Sequence, residues 1–224
     1  MIPDPRWPRH ALLRDLVLPH LPAGELAHDA LHLQRVYRWA IRLAPEAGAD
    51  PDLCGAAALV HDLVFVPKNS PERSTGGERS AAAAPAVLAQ VGYGSQDIAI
   101  IAEVVRTSSW SRGLDPTNAV GVILQDADRL DALGAVGLMR TVACGQHMSQ
   151  VARPGRFYDP QDPVAGTSRP LDDRTQVVDH LPAKLLRLAK GMHTPTARVE
   201  AARRHDWLLD FIGELSRELS PTSA

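Results

Sequence analysis

Cysteine is scarce. The 224 residues hold two, Cys54 and Cys144, with no Cys-x-x-Cys, which excludes a disulfide framework and a cysteine zinc knuckle and fits a reducing compartment. Aromatic residues are equally sparse at 4%, and 24 Lys and Arg do not outnumber 26 Asp and Glu, so the chain lacks both the stacking platforms and the basic footprint of a nucleic-acid binder. No apolar run approaches the roughly 18 residues of a membrane span. Met1 to His10, broken by Pro3, Pro5 and Pro8, lacks the basic and apolar regions of a secretory leader. The expectation is a soluble, cytoplasmic protein with neither nucleic acid nor membrane as partner. What is present is an ordinary globular composition, 45% apolar and 22% charged, in a chain long enough to bury a sizeable core.

Period-2 strand patterns with hairpin turns are also missing, and helical periodicity dominates. The expected fold is all-α: a compact helical bundle forming one domain over 1–224, with its core at about 25–135 and C-terminal helices at 174–219 packing on it. The pattern predicts helices near 9–19, 25–44, 50–63, 78–91 (with Pro85 inside), 96–109, 118–133, 135–149, 174–192 (with Pro182 as a kink or the true start) and 194–219. Asp50 before Pro51 and Thr194 before Pro195 are N-cap signals. The stretch 151–172, VARPGRFYDPQDPVAGTSRPLD, has four prolines and reads as a long irregular loop, expected to act as a mobile lid or a partner-chain contact anchored by Phe157 and Tyr158.

Three His-Asp dipeptides occur, His28-Asp29, His61-Asp62 and His205-Asp206; with nine His and 18 Asp, chance supplies about one, so position must choose among them. His61 and Asp62 end an apolar helix rich in small residues, where buried polar groups need partners. His32 shares a helical side with Val36, Trp39 and Leu43, and Asp126 follows Ile123 by three and precedes Leu130 by four. Four inward ligand-type side chains from three helices, His32, His61, Asp62 and Asp126, point to one divalent metal. Two imidazoles and two carboxylates suit Mn²⁺, Fe²⁺, Co²⁺ or Ni²⁺, with Mg²⁺ and Zn²⁺ also compatible.

These residues resemble the HD-domain metal-dependent phosphohydrolases, whose metal set is His, then His-Asp, then a distant Asp, and within them a bacterial branch of small single-domain hydrolases. The likeness runs through HLQRV at 32–36, AALVHD at 57–62, PKNSP at 67–71, QDADRLDALGA at 125–135, YDP at 158–160, DH followed by KLL at 179–186, and WLLDF at 207–211. It implies an HD-type helical fold, nucleotide substrates, and a metal that activates water and polarises a phosphoryl oxygen. Where the branch reads His-Ser-Phe-Ser, this chain has Ser108-Ser109-Trp110-Ser111, and the missing histidine points to a mononuclear site.

Around the metal set, His28 reads as a donor behind the metal ligands, an added catalytic group or, equally, a solvated histidine of the first turn, and Asp131 as a group that orients water or a ligand. Asp128 with Arg129 reads as a surface ion pair as readily as a site residue. Lys68, Asn69 and Arg73, on a loop the branch repeats, are expected to hold phosphate oxygens, with Arg79 nearby. His180 and Lys184 match the branch pattern and are expected to face the same cleft. That donor capacity exceeds what one phosphate uses, which favours a (deoxy)nucleoside triphosphate pyrophosphohydrolase. The rivals are a nucleoside monophosphate phosphatase and a non-catalytic nucleotide-binding protein. A homodimer is compatible with the sequence.

Overall fold

In the computed structural model the described residues are 4–149, 153–167 and 169–219. Among them there is no strand, only two isolated bridges, Arg156 with Gln176 and Asp159 with Asp162, so the all-α expectation holds. No helix is long and apolar enough to cross a membrane.

The helices are α1 (Arg9–Val17), α2 (Ala30–Leu43), α3 (Pro51–Val60), α4 (Gly76–Gln90), α5 (Ser95–Arg106), α6 (Ala119–Asp131), α7 (Gly134–Met148), the short α8 (Leu186–Leu188) and α9 (Pro195–Leu219). α3 is the axis of the fold. Asp50 caps it by accepting from the Asp52 amide at 2.9 Å, Pro51 fills N1, and every residue from Asp52 to Val60 is buried. Its side chains are mostly small, which lets α1, α2, α5 and α6 approach closely. At Gly55 a Cβ would lie 2.5 Å from the His10 ring and 2.9 Å from that of Tyr37, so only glycine admits this contact.

α2 begins five residues later than its periodicity suggests, because Asp29 accepts from the His32 amide at 2.8 Å and so caps the helix there. The preceding turn is held instead by Glu25, whose carboxylate takes the amides of Ala27 and His28, both at 2.8 Å. α2 buries His32, Leu33, Val36, Tyr37, Ala40 and Leu43 against α3 and α6. Between α6 and α7 the chain reverses at Gly134, whose φ of +70° is a left-handed conformation suited to glycine.

The predicted helix over 174–192 does not form as such. The amides of Val177 and Val178 bond instead to the carbonyls of Arg156 and Phe157, at 2.9 and 2.8 Å, which ties this turn to the proline-rich segment around the Arg156–Gln176 bridge. Helical structure begins only at Leu181, as a π turn to Leu185 that leads into α8. That pairing also bears on the expected lid. Arg169 holds Asp179 through two bonds of 2.7 and 2.6 Å and Asp162 through a third of 3.0 Å, and Asp179 is fully buried. The described part of 153–172 is thus fastened to the fold and lines neither cavity of the site described below; Val151, Ala152 and Ser168 lie outside the described residues.

Arg169→Ala removes the clamp. The variant is expected to become sensitive to trypsin at Arg153, Arg156 and Arg174 under conditions where the wild type resists, while metal binding stays the same. Limited proteolysis followed by mass spectrometry checks this, and a digestion pattern equal to the wild type's would count against the clamp.

Candidate active site

α2 and the end of α3 bring two imidazoles together. His61 caps the C-terminus of α3, and its Nδ1 donates to the Ala58 carbonyl at 2.8 Å. His32 Nδ1 donates to Asp131 Oδ2 at 2.7 Å. A neutral imidazole that donates from Nδ1 presents a lone pair at Nε2, and these two Nε2 atoms face each other at 3.2 Å. Asp62 Oδ2 lies 3.4 and 3.5 Å from them, and Asp128 Oδ1 3.8 Å from each. Two facing lone pairs repel unless a proton or a cation lies between them, and their spacing is one that two nitrogens can span when each is about 2.1 Å from one ion.

Exposure sorts the four groups. The imidazoles of His32 and His61 are 1% and 3% exposed, while the carboxylates of Asp62 and Asp128 are 36% and 32% exposed and open onto a cavity. The set is therefore closed on the protein side and accessible on the other. Burial alone would raise the Asp62 carboxyl, but His61 and His32 hold it well below the usual range, and they lower Asp128 in the same way. Burial and Arg140 push the His32 imidazole down, but Asp131 and Asp62 outweigh them and raise it. The mixed N/O donor set fits a divalent cation with positions left for water or substrate.

Asp126 does not belong to this group. It is fully buried on the other side of α6, where its carboxylate accepts from the His193 amide, the Thr194 amide and the Thr194 hydroxyl, each at 2.8 Å. Two residues along a helix is a rotation of about 200°, so the periodicity that turns Asp126 inward aims it at the start of α9, and Asp128 takes the place by the imidazoles. Asp131, one turn after Asp128, shares that face and orients His32: its carboxylate accepts from His32 Nδ1 at 2.7 Å, from Arg35 Nε at 2.6 Å and from Arg140 Nη1 at 3.0 Å.

The cavity beside the imidazoles has a volume of about 110 Å³, and His28, Lys68, Arg73, Arg140 and Lys184 on its wall also line an adjoining cavity of about 280 Å³. His28 Nδ1 donates to Glu25 Oε2 at 2.7 Å, and burial keeps the imidazole uncharged, with its pKa lowered to about 4. Lys184 is lowered by burial and by Lys68. His180 lines the second cavity only, paired with Asp173. Asn69 is exposed and lines neither cavity, and Arg79 points to Glu72 at 2.7 Å.

The model of the HD domain matches residues 30–133, the span from α2 to the end of α6 that carries His32, His61, Asp62 and Asp128. The protein YpgQ of Bacillus subtilis is 32% identical over 195 residues, which cover 86% of this chain and 84% of YpgQ. The chain belongs to the HD-domain family. The crystal structure of YpgQ in complex with ADP superimposes with a TM-score of 0.68 at 28% identity, over 96% of this chain and all of YpgQ. A Lactobacillus plantarum protein gives 0.74 at 28% identity, over 97% and 98% of the two chains. An HD-superfamily hydrolase from Bacillus thuringiensis gives 0.61 at 26%, over 94% and 96%.

Within the HD family frame, His61-Asp62 is the name-giving pair and His32 the preceding histidine. Ser108, where the related branch carries histidine, donates its hydroxyl to the Val105 carbonyl at 2.9 Å and lines the first cavity beside Ser109 and Trp110. Sequence reasoning missed Arg140, which bonds the Ala27 carbonyl at 2.7 Å as well as Asp131. A signal existed: Gly137, Arg140, Thr141 and Cys144 form one face of α7 with little apolar bulk, and that face lines the second cavity.

Two predictions follow from this geometry. Asp128→Ala is expected to abolish the rise in melting temperature that added Mn²⁺ causes. Asp126→Ala is expected to keep that rise while losing about 2–4 kcal/mol of stability, because two amides and a hydroxyl lose their acceptor. The reverse pattern in thermal melts would restore Asp126 as a ligand. Asp131→Asn and Arg140→Gln, which leave the ligand atoms in place but loosen His32, should each weaken Mn²⁺ binding about 10–100-fold by calorimetry.

Proposed function

We propose that this protein is a metal-dependent phosphohydrolase of nucleotides, acting on (deoxy)nucleoside triphosphates to give the monophosphate and pyrophosphate. The observation that carries the proposal is the union of two parts in one cleft: a His32, His61, Asp62 and Asp128 donor set, and four cations shared between the two cavities. The ADP held by the related YpgQ supports a nucleotide as ligand. A divalent cation bound by the donor set supplies Lewis-acid polarisation and water activation.

The remaining work falls to the chain. Lys68, Arg73, Arg140 and Lys184 place eight or more N–H donors around the cleft, more than one phosphate can accept. They hold the β- and γ-phosphates and so set the α-phosphorus as the point of attack. His28, uncharged and fixed by Glu25 through Nδ1, offers Nε2 as the acceptor for a proton of the attacking water. The water oxygen bonds to the α-phosphorus, the bond from that phosphorus to the bridging oxygen breaks, and its electron pair leaves with pyrophosphate. The four cations stabilise the charge that develops on that leaving group.

Anion-exchange chromatography of a deoxynucleoside triphosphate digest with Mn²⁺ tests the proposal. Monophosphate and pyrophosphate in equal amounts, without diphosphate, is the expected result. Lys68→Ala should raise KM about tenfold and leave Mn²⁺ affinity unchanged. Stepwise diphosphate and orthophosphate, or turnover confined to monophosphates, would favour a phosphatase, and nucleotide binding without any turnover a non-catalytic binding protein.

A further inference from the structure

Tryptophan occurs four times, and three of the four indoles are engaged by other side chains. Trp7 stacks on His10 with the Arg6 guanidinium 4.5 Å from its ring centroid, Trp39 faces Arg42 and Arg204 at 5.0 and 5.4 Å, and Trp207 stacks on Phe211. Trp110 is the exception. Among the described residues no ring or guanidinium lies against it and nothing accepts from its indole N–H. It packs against the hydrophobic core and lines both cavities of the cleft. Phe65, the other large aromatic side chain on the cavity wall, is already taken up by the rings of His28 and His147, at 5.8 and 6.4 Å.

The loop that carries Trp110 is fastened at both ends by one side chain. Gln125, 1% exposed on α6, donates from its amide nitrogen to the carbonyls of Thr107 at 2.9 Å and Leu114 at 3.0 Å. Within the loop the Gly113 amide bonds the Trp110 carbonyl at 3.0 Å, and Arg112 reaches Glu78 of α4 at 2.7 Å. Gln125 lies one turn before Asp128, so a single helix sets the indole loop and the carboxylate beside the imidazoles relative to each other. A large ring held in place without a partner is a preorganised surface for a ligand. We propose that Trp110 is the surface on which the nucleobase stacks, with the base in the larger cavity and the phosphates passing Lys68, Arg73, Arg140 and Lys184 toward the metal-facing groups. The proposal rests on the reading of the cleft as a nucleotide site. Every base has a π-face, so such a surface takes purines and pyrimidines alike, and one base needs one platform where a nucleic-acid strand needs several.

Titration calorimetry on the full chain with Mn²⁺ tests this, using α,β-methylene triphosphates, which the proposed cleavage leaves intact. The analogues of deoxyadenosine and deoxycytidine are compared with that of 1,2-dideoxyribose, which keeps the sugar and the phosphates but lacks the base. Both base-bearing ligands are expected to bind about tenfold or more tightly than the abasic one. Trp110→Ala should bring both to the abasic level without changing the abasic affinity, and Trp110→Phe, which restores a ring, should recover most of the difference. An abasic ligand bound as tightly as the nucleotides, an advantage held by one base alone, or a Trp110→Ala variant that weakens all three ligands equally would overturn the assignment. Base-dependent affinity without triphosphate turnover would remove the hydrolase reading alone, and turnover without base dependence would remove this one alone; thermal melts establish that both variants are folded.

Discussion

Two imidazole nitrogens facing each other at 3.2 Å set the terms for the centre of this molecule. That approach is sustained only because each ring is held from behind, His61 by a carbonyl of its own helix and His32 by Asp131. Asp131 is itself fixed by Arg35, one turn along α2 from His32, and by Arg140 of α7, so α2, α6 and α7 converge on the orientation of one ring. The small residues of α3 serve the same end, since a bulkier helix would stand farther from α2. Packing and chemistry are here one constraint: the distance between two helices is the distance between two ligands.

Charge is divided along the cleft with equal economy. Carboxylates of Asp62 and Asp128 lie at one end, held ionised by the imidazoles, and four cations at the junction of the cavities. Like charges about 4 Å apart in a partly solvated site repel by about 4 kcal/mol, and Lys184 shows the strain in its lowered pKa, through burial and the nearness of Lys68. A polyanion relieves that repulsion on arrival. Protein–protein ion pairs do not compensate it, because Lys68, Arg73 and Lys184 have no carboxylate partner at salt-bridge distance among the described residues.

Much of this was legible in the sequence, and the failures have physical causes. His32 could be turned inward from the apolar stripe of α2, and the His61-Asp62 pair from its place at the end of a helix buried all round. The carboxylate beside the imidazoles could not, since Asp126 and Asp128 lie on opposite sides of α6, one buried against α9 and the other opening onto the cavity; periodicity identifies an inward face but not which of two surroundings it meets. Arg140 joins the Ala27 carbonyl, far away in sequence, to Asp131 on the preceding helix, a link invisible to local periodicity. The helix expected over 174–192 failed for a related reason, as the amides of Val177 and Val178 found carbonyls some twenty residues away that no local pattern announces. On the cationic loop, Lys68 and Arg73 line the cavities, whereas Asn69 shares the loop but faces solvent.

The bond between Asp126 and the start of α9 has a consequence for what can be removed from this protein. The residues that match the HD domain end at 133, yet α6 leans on chain far beyond that limit: Asp126 on His193 and Thr194, Arg129 on the Gly191 carbonyl, and the Leu130 carbonyl on Arg204. A fragment cut to the family boundary would expose a carboxylate, a guanidinium and a carbonyl whose partners were discarded, on the same helix that aims Asp128 at the imidazoles. The smallest autonomous unit of this chain is therefore larger than the module by which it is recognised, and the last helix is a foundation of the ligand set, not an appendage to it.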